Sequence, residues 1–119
     1  METMDVVLAW DAALRAGDWD AARAALTDDA TYSSPAMPAA LRVDCASPDE
    51  IVSLMRSFKG QMPDVEVVAW EPHGDKVIAR LRQPEWGEDA DWYQVLTARD
   101  DRVASLADHP THESALTDL

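Results

Sequence analysis

The hydrophobic pattern of this chain changes its period near Gly60, and that change constrains the fold more than any other feature. Before Gly60, apolar residues recur at the spacing of amphipathic helices, first in a segment from about Thr3 to Ala16. After Gly60, apolar and polar residues alternate, which is typical of strands with one buried face. Because helices precede strands along the chain, the pattern predicts the α+β class, with about three N-terminal helices packed on an antiparallel sheet.

Local signals place the ends of the predicted helices. Asp18 can cap a short second helix with the sequence WDAARAAL. Residues 47–50, SPDE, supply Ser at the N-cap, Pro at N1 and Glu at N3 of a third helix, which we expect to stop at Gly60. Between these helices, the alternation in DDATYSSP predicts a short strand that ends at Pro35 and leads into a loop.

Four further strands are predicted in the second half of the chain. They have the sequences DVEVVAW, KVIARLRQ, DWYQVLTA and RVASLAD. The connections EPHGD, PEWGEDA and RDD are turn-like, so the strands are expected to form a meander. The last segment, PTHESALTDL, is compatible with a helical turn or a loose end. Helices that cover one face of a curved sheet leave a cavity between the layers, a usual place for a small-molecule site.

Charge and composition exclude several kinds of partner. The net charge of −13 argues against nucleic acid and anionic membranes, because phosphate binding needs clustered lysine and arginine. No apolar run is long enough to span a membrane, and the N-terminal sequence is expected to be a helix, not a signal peptide. The single cysteine, Cys45, rules out an internal disulfide. We expect a single domain over residues 1–119, located in the cytoplasm and using no cofactor.

Segments over nearly the whole chain resemble a known family. VVLAWDAALRAGDWDAARAALTDDATYSSP resembles the opening of the nuclear transport factor 2-like superfamily, in its SnoaL-like and ketosteroid-isomerase-like branch. SPDEIVSLMRSF resembles the family's third helix, PDVEVVAWEPHGDKVIARLR its first long hairpin, and DDRVASLADHPTHESAL its last strand and C-terminal motif. The resemblance implies a cone-shaped fold, in which a strongly curved sheet wraps a long helix around a pocket, and often a homodimer formed through the sheet.

The resemblance to ketosteroid isomerases implies positions for their catalytic groups. The residue before the proline of the short strand is their general-base aspartate, and here it is Ser34. Their tyrosine of the first helix aligns with Trp10, whose indole donates a hydrogen bond but cannot shuttle a proton. Their second oxyanion-hole acid aligns near Tyr93, which can donate. Steroid isomerisation is therefore not expected, because a neutral serine cannot abstract a proton from carbon near pH 7.

Limonene-epoxide-hydrolase-like members of the family use one arginine and two aspartates. Arg80 and Arg82 match the middle-strand positions and Asp108 matches the last-strand acid, so Arg82 stands where the second aspartate belongs. That mechanism needs two carboxylates around one water, which argues against it here. Strand phase predicts that Arg80, Arg82, Leu106 and Asp108 point into one cavity. Two interpretations of Asp108 beside an arginine stay open. They form an acid–base pair or, more simply, a structural ion pair.

Aromatic and hydroxyl side chains are candidates for the pocket wall. Tyr32 shares a strand face with Ser34, and we assign Tyr32, Asp108 and Arg80 as candidate catalytic residues. Trp86 lies in a loop, which predicts a lid or a dimer contact. The candidate ligand-binding residues are Trp10, Ser34, Met55, Phe58, Arg82, Trp86, Tyr93 and Leu106. Of these, Met55 and Phe58 fit ordinary core packing better than a ligand-binding role.

No metal site is expected at Asp108, His109 and His112, because neighbouring strand residues face opposite sides and no second carboxylate–histidine pair supports one. Two functions stay open. The first is an enzyme that acts on a small apolar or aromatic molecule by acid–base chemistry. The second is a non-catalytic ligand-binding or dimerisation module of the same fold. A buried Asp108 with a raised pKa, beside a cavity of about 300 Å³ or more, would favour the enzyme.

Overall fold

The structure is a computed structural model that describes residues 1–34 and 36–119, so the predicted end of the first strand at Pro35 lies outside the described residues. The helices are α1 (Thr3–Ala16), α2 (Trp19–Ala24), α3 (Pro48–Gln61) and α4 (His112–Leu116). The strands are β1 (Leu26–Ser33), β2 (Asp44–Cys45), β3 (Glu66–His73), β4 (Lys76–Arg82), β5 (Trp92–Arg99) and β6 (Arg102–His109). Within the described ranges, no helix is both long and apolar enough to cross a membrane.

Capping residues begin and end the helices close to where the sequence predicts. The Asp18 side chain accepts a hydrogen bond from the N–H of Ala21 and so caps α2. The Ser47 side chain accepts from the N–H of Glu50 at the start of α3. α3 continues one residue past its predicted end at Gly60. Gly60 is part of the helix, and no atom lies within 4 Å of the place where a Cβ would stand.

The strands form one curved sheet in the order β2-β1-β6-β5-β4-β3. The four strands from β3 to β6 form the predicted antiparallel meander, which confirms the α+β class and the curved sheet. β2 corrects the expectation of a loop after Pro35, because Asp44 in that segment pairs with Ser33 of β1. β1 and β6 run parallel, and their pairing sets Tyr32 of β1 beside Leu106 of β6.

The two faces of the sheet have different partners. We call the face that packs against α1, α2 and α3 the inner face; Val77, Ala79 and Leu96 contribute to the main core there. The opposite, outer face packs against α4, where Ile78 and Val95 form a small second cluster with Ala115. Because successive side chains of a strand alternate between faces, the strand position decides whether a residue can reach the core or only the outer face.

Candidate functional site

A cavity of about 650 Å³ lies between the inner face and the helices α1 and α3. All five tryptophans of the chain contribute to its wall: Trp10, Trp19, Trp70, Trp86 and Trp92. Met55 and Phe58 of α3 line it as well. The wall is therefore mainly apolar and aromatic, as expected of a small-molecule site.

Three polar side chains form a hydrogen-bonded triangle in the cavity wall. Tyr32 Oη donates to Asp108 Oδ2 at 2.6 Å. Gln94 Nε2 donates to Asp108 Oδ1 at 3.0 Å and to Tyr32 Oη at 3.1 Å. Because the amide nitrogen can only donate, the Tyr32 phenol accepts from Gln94 and points its own proton at the carboxylate. All three residues line the cavity.

Strand pairing brings the triangle together. Gln94 of β5 stands directly opposite Asp108 of β6, and side chains opposite each other across two strands share a face. Tyr32 of β1 pairs with Leu106, two residues before Asp108 and therefore on the same face. β1, near the start of the chain, and the consecutive strands β5 and β6 thus deliver one polar group each to the inner face.

Burial sets the protonation behaviour of the triangle. Asp108 is 6% exposed, and loss of solvation raises its pKa from 3.8 to about 6, although the hydrogen bonds from Tyr32 and Gln94 pull it down. Burial first and the Asp108 charge second raise the pKa of Tyr32 well above its usual value of 10.0. Near neutral pH, Asp108 is therefore a carboxylate close to its titration point, and Tyr32 is a neutral donor.

Arg80 and Arg82 do not share the cavity with Asp108, contrary to the expectation from strand phase. Ala79 pairs with Gln94 and lies on the inner face, so its neighbour Arg80 points outward, and Arg82 follows Arg80 at a spacing of two. The expected acid–base pair of Asp108 with an arginine is therefore not formed. The predicted strand phase was wrong by one residue. Because side chains alternate between the two faces of a sheet, this error is enough to move both arginines to the other face.

The two arginines bind Asp91 instead. Arg80 Nε lies 2.6 Å from Asp91 Oδ2, and Arg82 contacts both oxygens, Nε to Oδ1 and Nη2 to Oδ2, each at 2.8 Å. The Asp91 side chain is 5% exposed. Hydrogen bonds from Arg82 and Arg80 lower the pKa of Asp91 to about 2. This cluster is a structural ion pair at the end of the loop that joins β4 to β5.

Three other residues predicted for the pocket lie elsewhere. Tyr93 is on the outer face, where its ring centroid is 5.5 Å from that of His112. Ser34 is buried, and its hydroxyl accepts a hydrogen bond from the Val43 N–H, so it joins the end of β1 to the following loop. Leu106 is 1% exposed and packs in the main core.

Sequence reasoning missed Gln94 and considered Trp92 only as an alternative to Tyr93. Trp92 and Gln94 share the inner-face phase, and both line the cavity. Trp86 lines it too, with its ring centroid 5.8 Å from that of Trp92 and half of its surface exposed. A side chain that is both exposed and part of the wall lies at the cavity mouth, which fits the lid interpretation of Trp86.

Charged residues also border the cavity. Arg15 Nη2 is 2.9 Å from Asp11 Oδ2, and Lys59 Nζ donates to the backbone oxygen of Arg15 at 2.8 Å. Burial raises the pKa of Asp11, and Arg15 only partly offsets that rise. The basic side chains found in the described wall are therefore engaged with partners other than Asp108.

The histidines lie apart from the triangle. His109 faces away from Asp108 and contacts Asp118, with Nε2 to Oδ2 at 3.0 Å. His112 Nε2 lies 3.0 Å from Glu71 Oε1. In the part of the chain that the structure describes, no three His, Cys, Asp or Glu side chains form a group suited to hold a metal ion.

The sequence profile of the SnoaL-like domain family matches residues 7–106, and the chain belongs to that family. This confirms the resemblance found in the sequence. No curated protein matches the chain.

Solved structures share the fold at low sequence identity. An LEH-like epoxide hydrolase from M. tuberculosis is 19% identical, with a TM-score of 0.64 over 98% of this chain and 88% of its own. A nuclear transport factor 2-like protein of unknown function from Cytophaga hutchinsonii is 16% identical, with a TM-score of 0.69 over 98% and 96%. A de novo designed protein with a curved β-sheet is 14% identical, with a TM-score of 0.72 over 93% and 86%. Because a designed protein matches as well as a natural one, the likeness establishes the fold and leaves function to the site.

Proposed function

We propose that this protein is a cofactor-independent acid–base enzyme that acts on a small apolar or aromatic molecule. The observation that carries the proposal is the triangle of Tyr32, Gln94 and Asp108 in the wall of a cavity of about 650 Å³. A base works best when its pKa lies near the working pH, and Asp108 has a pKa of about 6. An open cavity and a buried carboxylate with a raised pKa are the two features expected of an enzyme and not of a filled structural module of this fold.

The chemistry follows from the state of each group. The Asp108 carboxylate takes a proton from a carbon next to a substrate carbonyl and returns it to another position, so the proton balance closes without a cofactor. Each Asp108 oxygen accepts one hydrogen bond in the free protein, which leaves lone pairs for the substrate proton. Gln94 holds the carboxylate and the phenol in place. Once Asp108 has taken the substrate proton, the neutral Tyr32 O–H, which donates to the carboxylate in the free protein, can turn and donate to the substrate oxygen.

Proton transfer at carbon fits the site better than epoxide hydrolysis with two acids. The residue opposite Asp108 is the neutral Gln94, whereas the two-acid mechanism places two carboxylates around one water. A transfer from one carbon to another needs a single base. We therefore favour isomerase-like or cyclase-like chemistry.

The test is deuterium incorporation from D2O into aryl ketones such as propiophenone and 1-tetralone, followed by proton NMR. It detects abstraction of a proton next to a carbonyl without knowledge of the final product. We expect exchange above the buffer rate with the wild-type protein and with Asp91→Asn, but loss with Asp108→Asn. The proposal fails if ketones bind and no exchange is catalysed, or if Asp108→Asn exchanges them at the wild-type rate.

The second candidate is a non-catalytic binding module, which is favoured by the single carboxylate in the triangle. It predicts that apolar ligands change tryptophan fluorescence while no exchange occurs.

We also propose that the protein works in the cytoplasm as a homodimer paired through the sheet. Light scattering at micromolar concentration tests the dimer, and a mass of one chain would contradict it.

A further inference from the structure

Asp108 is a buried carboxylate whose hydrogen-bond partners are both neutral. Tyr32 and Gln94 satisfy its oxygens but bring no positive charge. Buried charges in proteins are normally paired with an opposite charge, because hydrogen bonds alone repay only part of the lost solvation. Arg15 and Lys59, the basic residues of the described wall, are engaged at the rim. The inner face thus presents a carboxylate that no basic side chain of the described wall neutralises.

Aromatic rings surround the same space. Trp92 lies two residues before Gln94 on β5, which makes it a diagonal neighbour of Asp108 at about 7–8 Å, within reach of a large ring. The other four tryptophans and Phe58 also belong to the wall. The face of an indole ring attracts a cation, and the attraction is stronger where water is excluded. A carboxylate among indole rings has the chemistry of a site for an organic cation.

We propose that the cavity binds an organic cation, a protonated or quaternary amine on an apolar body, with its nitrogen between Asp108 and the aromatic wall. The inference deepens the proposed function, on whose site it rests, by naming the charge of the ligand. The net charge of −13 acts in the same direction, because it attracts cations and repels anions at the cavity mouth. The apolar body of the ligand would contact Phe58 and the tryptophans.

The test compares two probes of equal shape. Benzyltrimethylammonium carries a positive charge, and neopentylbenzene is its neutral counterpart with carbon in place of nitrogen. Titration followed by tryptophan fluorescence gives both dissociation constants. At pH 8 we expect the cation to bind at least tenfold more tightly, and Asp108→Asn to reduce that preference to within twofold. Asp20→Asn removes one exposed carboxylate outside the cavity wall and is expected to keep this preference.

A pH series on the wild-type protein gives a second measurement that needs no variant. The preference for the cation should fall as the pH is lowered through about 6, where Asp108 takes up its proton. Of the groups beside Asp108, Tyr32 stays neutral in this range. Asp11 also lines the cavity and burial raises its pKa, so the series is repeated with Asp11→Asn, which should keep the fall. His109 faces the outer side, and repeating the series with His109→Gln controls for it.

Each outcome decides the question. Equal affinity for the two probes, or a preference that survives Asp108→Asn or is lost in Asp20→Asn, overturns the inference. Neutral binding alone overturns the inference but leaves the proposed function standing. A cation preference without proton exchange at carbon supports the inference and overturns the proposed function. If neither probe binds, the inference is overturned and the open cavity required by the proposed function is contradicted as well.

Discussion

Asp108 on β6 and Asp91, just before β5, show how the two sides of the sheet give one residue type opposite properties. Asp108 faces the apolar inner cavity, is held by two neutral donors, and has a pKa of about 6. Asp91 binds two outward-facing arginines and has a pKa of about 2. Asp108 lies deep in the core, where burial raises its pKa, whereas Asp91 lies closer to the surface, where two arginines lower its pKa. Depth of burial and the charge of the partners therefore act together, and only Asp108 can exchange protons near neutral pH.

The largest expected difference between the two aspartates is in the rate of proton exchange. Asp108→Asn removes the base, and we expect proton exchange into an aryl ketone to fall by about 10²–10⁴-fold, the usual contribution of a positioned base. Asp91→Asn should retain the rate to within about threefold, since Asp91 has no place in the cavity wall. NMR-detected exchange measures both. A similar loss in the two variants would mean that fold integrity, and not the base, sets the rate.

The next effect is on the pH dependence of stability. The folded state holds the Asp108 proton more tightly than the unfolded state, so stability falls as the pH rises from about 4 to 6. A pKa shift from 3.8 to about 6 corresponds to about 3 kcal/mol. Because pH 4 already lies above 3.8, part of this is present there, and relative to wild type Asp108→Asn should gain about 2 kcal/mol in free energy of unfolding between pH 4 and pH 7. Urea unfolding at both pH values measures this gain.

Asp91 gives the opposite sign and a different pH window. Its lowered pKa stabilises the folded state above pH 4, and that contribution is lost as the pH falls towards 2. Urea unfolding gives the difference in the free energy of unfolding between wild type and Asp91→Asn. If that difference grows as the pH rises from 5 to 8, the assignment of Asp91 as the ion-paired carboxylate is contradicted.

A smaller effect is expected from breaking the Asp91 cluster at neutral pH. Asp91→Ala removes three charged hydrogen bonds, but both arginines are partly exposed and regain water. We expect a loss of about 2 kcal/mol in the free energy of unfolding. Asp28→Ala is the control, because it breaks an exposed pair with Arg23 and should cost much less. Equal costs would show that the Asp91 cluster is no better than a surface pair.

The smallest effect concerns the tuning of Asp108. Tyr32→Phe removes a hydrogen bond that lowers the Asp108 pKa, so the pKa should rise above about 6. Titration of ¹³C-labelled aspartate by NMR follows this directly. Tyr93→Phe, on the outer face, serves as the control and should leave the titration of Asp108 unchanged. A lower pKa in Tyr32→Phe would show that the phenol is not the donor.

The sequence predicted the fold well because local signals repeat along it. The caps at Asp18 and Ser47 and the change of period near Gly60 are properties of neighbouring residues, and the structure confirms the α+β class that they imply. The site was harder, because it depends on which residues face each other. Asp108 was named from the resemblance and Tyr32 from the strand face that it shares with Ser34, whereas the hydrogen bond between them came from the pairing of β1 with β6.

Gln94 was missed for a specific geometric reason. The turn at Asp100 and Asp101 pairs Arg99 with Arg102, and counting back from that turn sets Gln94 opposite Ala107. An irregularity between Thr97 and Ala98 shifts the register by one residue, so Gln94 instead faces Asp108. Such a bulge has no reliable sequence signal. A one-residue shift decides which face a side chain occupies, so sequence periodicity alone could not assemble the triangle.

The parallel contact between the first and last long strands also bears on how the molecule folds. The hydrogen bond from Tyr32 to Asp108 joins residues 76 positions apart, and contacts of such long range close slowly. The hairpins from β3 to β5 can form from neighbouring residues, but the triangle needs β6 to dock beside β1. The hydrogen bond between Tyr32 and Asp108 therefore cannot form until β6 has docked beside β1.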